Sequence, residues 1–351
     1  MTRISSFCPL HRKMPVSIAR IKMYCALAMK NKSLKILLPV LVFLFMVTGV
    51  KAQYPQGQHW TPLLRINPAF TGVNQAKWRI NENYRSQQFH SGMKLTWNTI
   101  SADIKKEITK EVGGYGLKMT ESSGNTFGFG IMDDRRNSDS AGARYIADYF
   151  SLAYHRALKN NASFGIGVQP GYMRNVNDKK FDLNAGLLWG QGMITCWQED
   201  QFYKNQIGVS VYNILSDWQD TNLLPGREIQ AHAGFLIDKP EKFNIVANGY
   251  YRYTGTSEFS VGAVVLFFPV VHYRFYDRAR LGLHYRSTNH LTWSAGLRIY
   301  GAGKKTLTLD GTISYDMPMK FMDFESPYKN AFEIGIVLSN FEKCWSLGKC
   351  K

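Results

Sequence analysis

The side chains best suited to hydrolytic chemistry are Ser151 and His155, which lie four residues apart in a predicted strand. At the usual strand rise their Cα atoms are about 13 Å apart, too far for the hydrogen bond that joins a nucleophile to its base. Asp133 and Asp134 form an acidic pair, but two arginines follow them and the group is typical of a turn. The sequence has neither a nucleophile elbow nor a glycine-rich phosphate loop. We therefore expect a protein that is not an enzyme.

Side chains that could bind a metal ion are dispersed along the chain. Four histidines are spread over different predicted strands: His232, His272, His284 and His290. Cys196 stands apart from the other cysteines, and no group of cysteines and histidines has the spacing of zinc ligands. We expect no metal and no cofactor, and we interpret these histidines as isolated residues on interior strand faces.

Strands with one apolar and one polar face would have to position these residues. In the last third of the chain, apolar and polar side chains alternate with period two. One such strand has Leu307, Leu309, Ile313 and Tyr315 on one face and Thr308, Asp310, Thr312, Ser314 and Asp316 on the other. The apolar face of such a strand packs against a second sheet in a soluble sandwich, whereas it faces lipid in an outer-membrane barrel.

About fifteen strand-like segments can be placed along the chain, separated by clusters of Asn, Asp, Gly and Lys. Three of them are predicted at 93–104, 113–119 and 126–133. A single-chain barrel has an even number of strands, so we expect fourteen antiparallel strands. The segment from Gly113 to Gly124 is then an extra hairpin or an inserted strand.

The N-terminal region indicates export. Residues 29–52 have the layout of a secretory signal peptide, with a basic patch, an apolar run from Ile36 to Val47, and small residues before a cleavage point after Ala52. The apolar run is shorter than the roughly 20 residues of a membrane span, although a retained anchor helix is the alternative. Residues 1–28 are interpreted as a mistaken upstream start. The rest divides into an N-terminal segment with an Asn-Pro-Ala turn (53–75), a barrel (76–341) and a cysteine-containing tail (342–351).

Charge and aromatic content favour a membrane barrel. The full chain has a formal charge of +17, but residues 1–52 hold nine basic and no acidic residues, so the rest carries +8. The basic residues are scattered, which argues against a nucleic-acid partner and is compatible with outer-membrane lipid or an arginine-lined lumen. Aromatic residues fall near predicted strand ends, as in interfacial girdles: Trp78, Tyr84, Trp97, Trp189, Tyr253, Tyr273, Tyr300 and Phe341. We therefore predict an all-β fold, a transmembrane outer-membrane β-barrel, rather than a sandwich.

An ordered set of motifs resembles one protein family. The set is Ile66-Asn67-Pro68-Ala69-Phe70-Thr71-Gly72, Asn83-Tyr84-Arg85, Ser101-Ala102-Asp103, Gly128-Phe129-Gly130-Ile131, Ser151-Leu152-Ala153-Tyr154-His155, Leu281-Gly282-Leu283-His284-Tyr285-Arg286, Ile313-Ser314-Tyr315-Asp316 and Phe332-Glu333-Ile334-Gly335. These motifs span nearly all of residues 53–341 and resemble the PorP/SprF family of type IX secretion system membrane proteins.

The resemblance implies a non-catalytic outer-membrane component of that secretion system. It implies partners among periplasmic ring or peptidoglycan-linked lipoprotein components and exported surface proteins, and it associates the chain with protein secretion, gliding motility and a cell-surface adhesin. Such a protein would dock periplasmic machinery, exported cargo or both. The alternative function is a passive outer-membrane channel or solute transporter, which requires an open lumen.

Candidate site residues fall into three groups. The family motif, with a possible docking role, comprises Asn67, Pro68, Ala69, Gly72, Tyr84 and Arg85. Residues with an expected lumenal or structural role are Arg286, Arg298, Asp310, Tyr315, Asp316 and Glu333. Asp316 is expected either to pair with Arg298 or Arg286 or to be solvated. In the tail, Cys344 and Cys350 are either bridged or free, since family members often carry cysteines there and exported proteins retain disulfides.

Overall fold

The computed structural model describes twelve stretches of the chain. They are residues 63–73, 76–114, 117–139, 144–158, 162–175, 178–191, 205–215, 226–239, 243–267, 278–300, 305–319 and 328–342. Several predicted features lie outside these stretches, namely the upstream segment 1–28, the signal peptide 29–52, Cys196, His272, Cys344 and Cys350. Predictions about those residues stay predictions.

Fourteen antiparallel strands close into a barrel, and this confirms the predicted fold class and strand number. They are β1 (Ala76–Gln88), β2 (Lys94–Gly114), β3 (Leu117–Ser138), β4 (Arg144–Ala157), β5 (Ala162–Arg174), β6 (Lys179–Gln191), β7 (Gln206–Tyr212), β8 (Glu228–Lys239), β9 (Phe243–Tyr253), β10 (Ser257–Phe267), β11 (Arg278–Arg286), β12 (His290–Tyr300), β13 (Lys305–Pro318) and β14 (Asn330–Glu342). Each strand pairs with its neighbours in sequence, and β1 pairs with β14.

Alternation with period two sets which side chains face inward. In β5, Phe164 and Ile166 are exposed on the outer surface while Gly165 and Gln169 are buried inside. The same arrangement recurs around the wall, so the apolar face points outward and the polar face lines the lumen. This is the inside-out arrangement of a membrane barrel and excludes a soluble sandwich.

The longest strands, β2 and β3, form a hairpin that extends beyond the barrel wall. Among the described residues, the pairing of β2 with β1 ends at Ile104, and the pairing of β3 with β4 begins at Thr126. Between these limits β2 and β3 pair with each other, and Gly114 lies opposite Leu117. The predicted separate strand at 113–119 is therefore wrong, because β2 ends at Gly114 and β3 begins at Leu117. Of the two alternatives for the segment from Gly113 to Gly124, the structure agrees with an extra hairpin, formed by the extended ends of β2 and β3.

The barrel has two distinguishable rims. Ala76 in β1 lies opposite Phe341 in β14, so both strands reach the same end of the barrel, here called the terminal rim. The β1–β2, β9–β10 and β11–β12 connections lie at the other end, here called the opposite rim. Among the described residues, no helix is long and apolar enough to cross a membrane.

Candidate functional site

Residues 63–73, here called the strap, lie inside the barrel, and every one of them is buried. The strap begins with α1 (Leu63–Ile66) and continues through Asn67 into a short 3-10 helix (Pro68–Phe70). Asn67 has extended backbone angles, and its side-chain oxygen accepts a hydrogen bond from the Ala69 amide at 2.8 Å. Asparagine at the cap and proline at the first helical position are the residues that favour this turn.

Asn67 also fixes the strap to the barrel wall. Its side-chain Nδ2 donates to the carbonyl oxygens of Leu187 at 2.9 Å and Val209 at 3.3 Å, and it lies 3.2 Å from His232 Nε2. These partners belong to three consecutive strands, β6, β7 and β8. One amide therefore caps its own helix and bonds to three strands at once.

Glycines in the wall make room for the strap backbone. Gly128, Gly167 and Gly186 belong to β3, β5 and β6 and face inward, and a Cβ atom on any of them would overlap strap atoms of Thr71, Pro68 or Asn67. The strap backbone thus lies directly against the wall. Gly72 of the strap must also lack a Cβ atom, because an added Cβ would lie 2.6 Å from the Cα atom of Gly128. Its φ of +71° also favours glycine.

Polar side chains hold the end of the strap nearest the terminal rim. His155 Nε2 donates to the Thr71 carbonyl oxygen at 2.9 Å, and Ser151 Oγ hydrogen bonds to the Thr71 hydroxyl. The Gly72 amide donates to Asp103 Oδ2 at 2.8 Å, and Asp103 is held in turn by Arg79. Ser151 and His155, whose side-chain types could serve hydrolytic chemistry, both contact the strap.

The helical end of the strap packs against the wall near the opposite rim. Leu64 lies in an apolar cluster with Met132, Tyr145, Ala147, Tyr149 and Met173. Two wall hydroxyls donate to strap carbonyl oxygens, Tyr212 to Leu64 at 3.1 Å and Ser210 to Ile66 at 2.7 Å. These bonds satisfy carbonyl groups that a one-turn helix leaves without partners.

Arg65 is the charged anchor of the strap. Its guanidinium lies 3.3 Å from Glu228 and 3.6 Å from Asp134, and it stacks over the Tyr212 ring at 4.8 Å from the centroid. Both carboxylates have second cationic partners, since Arg252 lies 2.9 Å from Glu228 and Arg136 lies 3.2 Å from Asp134. The strap therefore completes a buried network of charges that links β3, β8 and β9.

A second buried ionic cluster lies in the part of the lumen between β11 and β1. Arg85 binds Asp316 at 2.7 Å and Glu333 at 3.1 Å, and Arg286 lies 3.7 Å from Asp316. Tyr328, in the connection before β14, donates to Asp316 at 2.9 Å. Burial and the nearby Asp316 carboxylate raise the pKa of the Tyr328 hydroxyl, so it remains a donor.

Nearer the terminal rim, Arg298 binds Asp310 at 2.7 Å, and Arg280 contacts the same carboxylate. Of the two pairings proposed for Asp316, the structure therefore shows the one with Arg286, whereas Arg298 is paired with Asp310. Two other candidate residues, Tyr315 and Tyr84, lie on the outer face of the barrel. Tyr315 lies beside Trp293, with ring centroids 6.2 Å apart, and Tyr84 is exposed.

Other sequence-based assignments are corrected by the side-chain positions. Trp97 does not belong to an outer aromatic girdle, because it is buried inside, donates to Asp134 at 2.7 Å and packs against Arg136. Asp133 and Asp134 do not form a turn, since they are consecutive residues of β3 that face opposite sides of the wall. Arg65 and Glu228 were missed, although Arg65 lies only two residues before Asn67 and Glu228 is the first residue of β8.

Three of the histidines singled out in the sequence lie apart from one another in the barrel wall. His232, His284 and His290 are buried on three separate strands, and His284 Nε2 lies 2.7 Å from Asn248 Oδ1. In the part of the chain that the structure describes, no group of three or more His, Cys, Asp or Glu residues could hold a metal ion.

Solved structures similar to this barrel are remote. The β-domain of the Bordetella autotransporter BrkA shares 7% identity over 76% of this chain and 99% of its own, with a TM-score of 0.42. A Pseudomonas aeruginosa FadL homologue shares 10% over 84% of this chain and 100% of its own, with a TM-score of 0.45. At these values neither likeness bears on function.

Sequence comparison is more specific. No curated protein matches the chain. The family described as type IX secretion system membrane protein PorP/SprF matches residues 51–338, in agreement with the resemblance seen in the ordered motifs. This match covers most of the chain and all but the last of the strands in full. The chain therefore belongs to the PorP/SprF family of type IX secretion system membrane proteins.

Proposed function

We propose that this protein is a sealed outer-membrane adaptor of the type IX secretion system. It supports the export or surface attachment of partner proteins by docking periplasmic machinery, exported cargo or both. The observation that carries this proposal is the occupied lumen, because a strap bonded to the wall lies in one part of it and buried, paired charges lie in another.

The buried charges distinguish this barrel from a passive channel. A water-filled pore leaves its lumenal charges solvated. Here the side chains of Arg85, Arg286, Asp316 and Glu333 are at most 2% exposed and are paired with one another. Paired and dehydrated charges of this kind are structural, since an ion moving past them would have to separate each pair.

Partners would bind surfaces outside the lumen. Strap residues Asn67, Pro68, Ala69 and Gly72, which carry the family motif, are buried in the lumen, so a docking role for them stays a prediction. The β2–β3 hairpin continues past the stretch in which β2 pairs with β1 and β3 pairs with β4, and there the two strands pair with each other as far as Gly114 and Leu117. A projecting hairpin offers a partner backbone and side chains that are not committed to the lumen. We propose this hairpin as the docking element.

Surface proteomics beside a solute-uptake assay tests the proposal. Deleting the gene should remove a particular exported protein from the cell surface and leave small-solute uptake unchanged. Deleting residues 106–125 alone should give the same surface defect while the barrel still assembles, which heat-modifiability in gels measures. An unchanged surface proteome together with slower uptake in the deletion strain would overturn the adaptor proposal and favour the channel.

A further inference from the structure

We propose that the outer wall of the barrel carries a binding site for a membrane phospholipid with a negatively charged head group. The site lies on β2–β6, toward the opposite rim. The phosphate of the lipid lies against a row of basic side chains, and an acyl chain lies in an apolar groove beside that row. The strap and the lumenal ion pairs take no part in this site, so the inference is independent of the adaptor proposal.

The groove lies on the lipid-facing surface and has a volume of about 550 Å³. This volume is within the range of roughly 300–1,000 Å³ that is usual for ligand pockets. Three large side chains of its lining protrude from the wall, since Ile131, Phe150 and Tyr172 are 61%, 47% and 64% exposed. Ala102 and Pro170 also face outward in the lining, but their side chains are short. A depression between large apolar side chains on this surface fits a hydrocarbon chain.

A row of basic side chains lies between the groove and the opposite rim. Because neighbouring strands run in opposite directions, the β3–β4 and β5–β6 connections both lie at that rim. The outward-facing basic residues of β3–β6 nearest these connections are all exposed: Arg135, Arg144, Arg174 and Lys179. Asp133 and Asp148 lie opposite each other, one row nearer the groove. Four positive and two negative charges give this patch a net charge of +2.

The wall orients the two central arginines of this row. Arg135 lies 2.6 Å from Asp133 and Arg174 lies 3.9 Å from Asp148, yet the two arginine side chains are still 48% and 47% exposed. Their shared cross-strand neighbour, Ile146, faces outward but is only 8% exposed, so we interpret the arginine stems as its cover. A guanidinium has several N–H donors in a planar fork, and one that binds a carboxylate retains donors for a phosphate.

The order of the rows matches a phospholipid better than a second copy of the barrel. From the rim inward, the outer face presents basic side chains, then the two carboxylates, and then the apolar groove. A phospholipid likewise places its phosphate at the membrane interface and its chains below it. Two copies in one membrane would bring identical basic rows together at the same height, and like charges repel. The net positive charge therefore favours an anionic lipid as the occupant of the groove.

Native mass spectrometry of the full-length protein in detergent tests the head-group contacts. Phosphatidylglycerol and phosphatidylcholine with identical acyl chains differ in net charge, and we expect the protein to bind phosphatidylglycerol more tightly. The double variant Arg135→Gln with Arg174→Gln should weaken this binding by about fivefold for each charge removed. Lys106→Gln with Arg156→Gln removes two exposed, outward-facing charges nearer the terminal rim and should bind like the wild type. Equal binding of the two lipids, or equal losses in the two double variants, would overturn the site.

A substitution that fills the groove tests the acyl-chain contacts. Ala102→Phe places a large ring in the groove, whereas Ala185→Phe adds the same ring on the outer face of β6, outside the groove. Both alanines face lipid, and heat-modifiability in gels verifies that both variants fold. We expect only Ala102→Phe to weaken phosphatidylglycerol binding severalfold. Unchanged binding in that variant would overturn the groove as the chain site. Conversion of a dimeric wild type to a monomer by Ala102→Phe, without lipid bound to either, would assign the groove to a second copy and also overturn the proposal.

Discussion

The side-chain amide of Asn67 donates to the carbonyl oxygen of Leu187 at 2.9 Å, and this bond joins the N-terminal strap to the middle of the barrel wall. The residue makes this contact while its oxygen caps the following 3-10 helix. Only a side chain with both a donor and an acceptor at one end serves both functions. The Asn-Pro-Ala motif therefore has a structural explanation in this protein.

Replacing Asn67 with Asp should destabilise the barrel. The carboxylate keeps the cap but cannot donate to Leu187 or Val209, and it places an unpaired charge in a buried site. We expect a loss of about 2–4 kcal/mol in the free energy of unfolding, measured by urea titration in detergent micelles. Asn137→Asp, at an exposed position on the outer face of β3, should change the midpoint little. Equal midpoints for the two variants would show that the Asn67 bonds do not hold the strap.

Adding a methyl group to the wall should displace the strap. The change Gly186→Ala directs a Cβ atom at the side chain of Asn67, whereas Gly311→Ala meets nothing within 4 Å. We expect the Gly186 variant to lose about 1–3 kcal/mol of stability and to conduct ions in planar bilayers, because overpacking forces the strap away from the wall. The Gly311 variant is the matched control and should remain silent. A conducting wild-type protein would contradict the filled lumen.

The barrel could be predicted from the sequence because the alternation of apolar and polar residues is a local pattern. The period-two pattern of Phe164, Ile166 and Val168 specifies which face is apolar, and the signal-peptide layout assigned that face to lipid. The separate strand predicted at 113–119 was wrong for a related reason, because local pattern alone does not reveal that two strands continue together beyond their other neighbours.

The strap was not predicted because its contacts are distant in sequence. Asn67 and His232 are 165 residues apart, and nothing in the local pattern indicates that they meet. The inward glycines were a usable signal, since Gly128, Gly167 and Gly186 each leave a gap on the polar face of a strand. Empty positions on adjacent strands indicate that another chain segment fills the space. Trp97 was misplaced because aromatic residues near strand ends occur on both faces.

Removing one charge from the Arg85–Asp316 pair should be more harmful than removing both. Arg85→Met removes a positive charge that Asp316 and Glu333 share in a dehydrated site. We expect a loss of about 3–5 kcal/mol in the free energy of unfolding. The double variant Arg85→Met with Asp316→Leu should recover part of that loss. Arg135→Met removes an ion pair with Asp133 on the outer face, where Arg135 is about half exposed, and should cost less than about 1 kcal/mol. Additive losses in the double variant would mean that the pair is not coupled.

The last prediction concerns two positions on the outer face that have similar exposure but lie at different depths in the membrane. Ile313 and Leu307 are both leucine-sized, outward-facing residues of β13 with similar exposure, 45% and 50%, but Ile313 lies in the middle of the strand and Leu307 near its end at the terminal rim. Arginine at the bilayer midplane costs about 2–4 kcal/mol, and this cost falls to about 0–1 kcal/mol near the interface. We therefore expect Ile313→Arg to reduce the yield of heat-modifiable, folded protein in phospholipid vesicles much more than Leu307→Arg does. A barrel in water would tolerate both changes equally, because exposure alone would then set the cost. Equal yields from the two variants would consequently contradict a lipid-facing outer wall, whereas a loss confined to Ile313→Arg would place the middle of β13 in the hydrocarbon core.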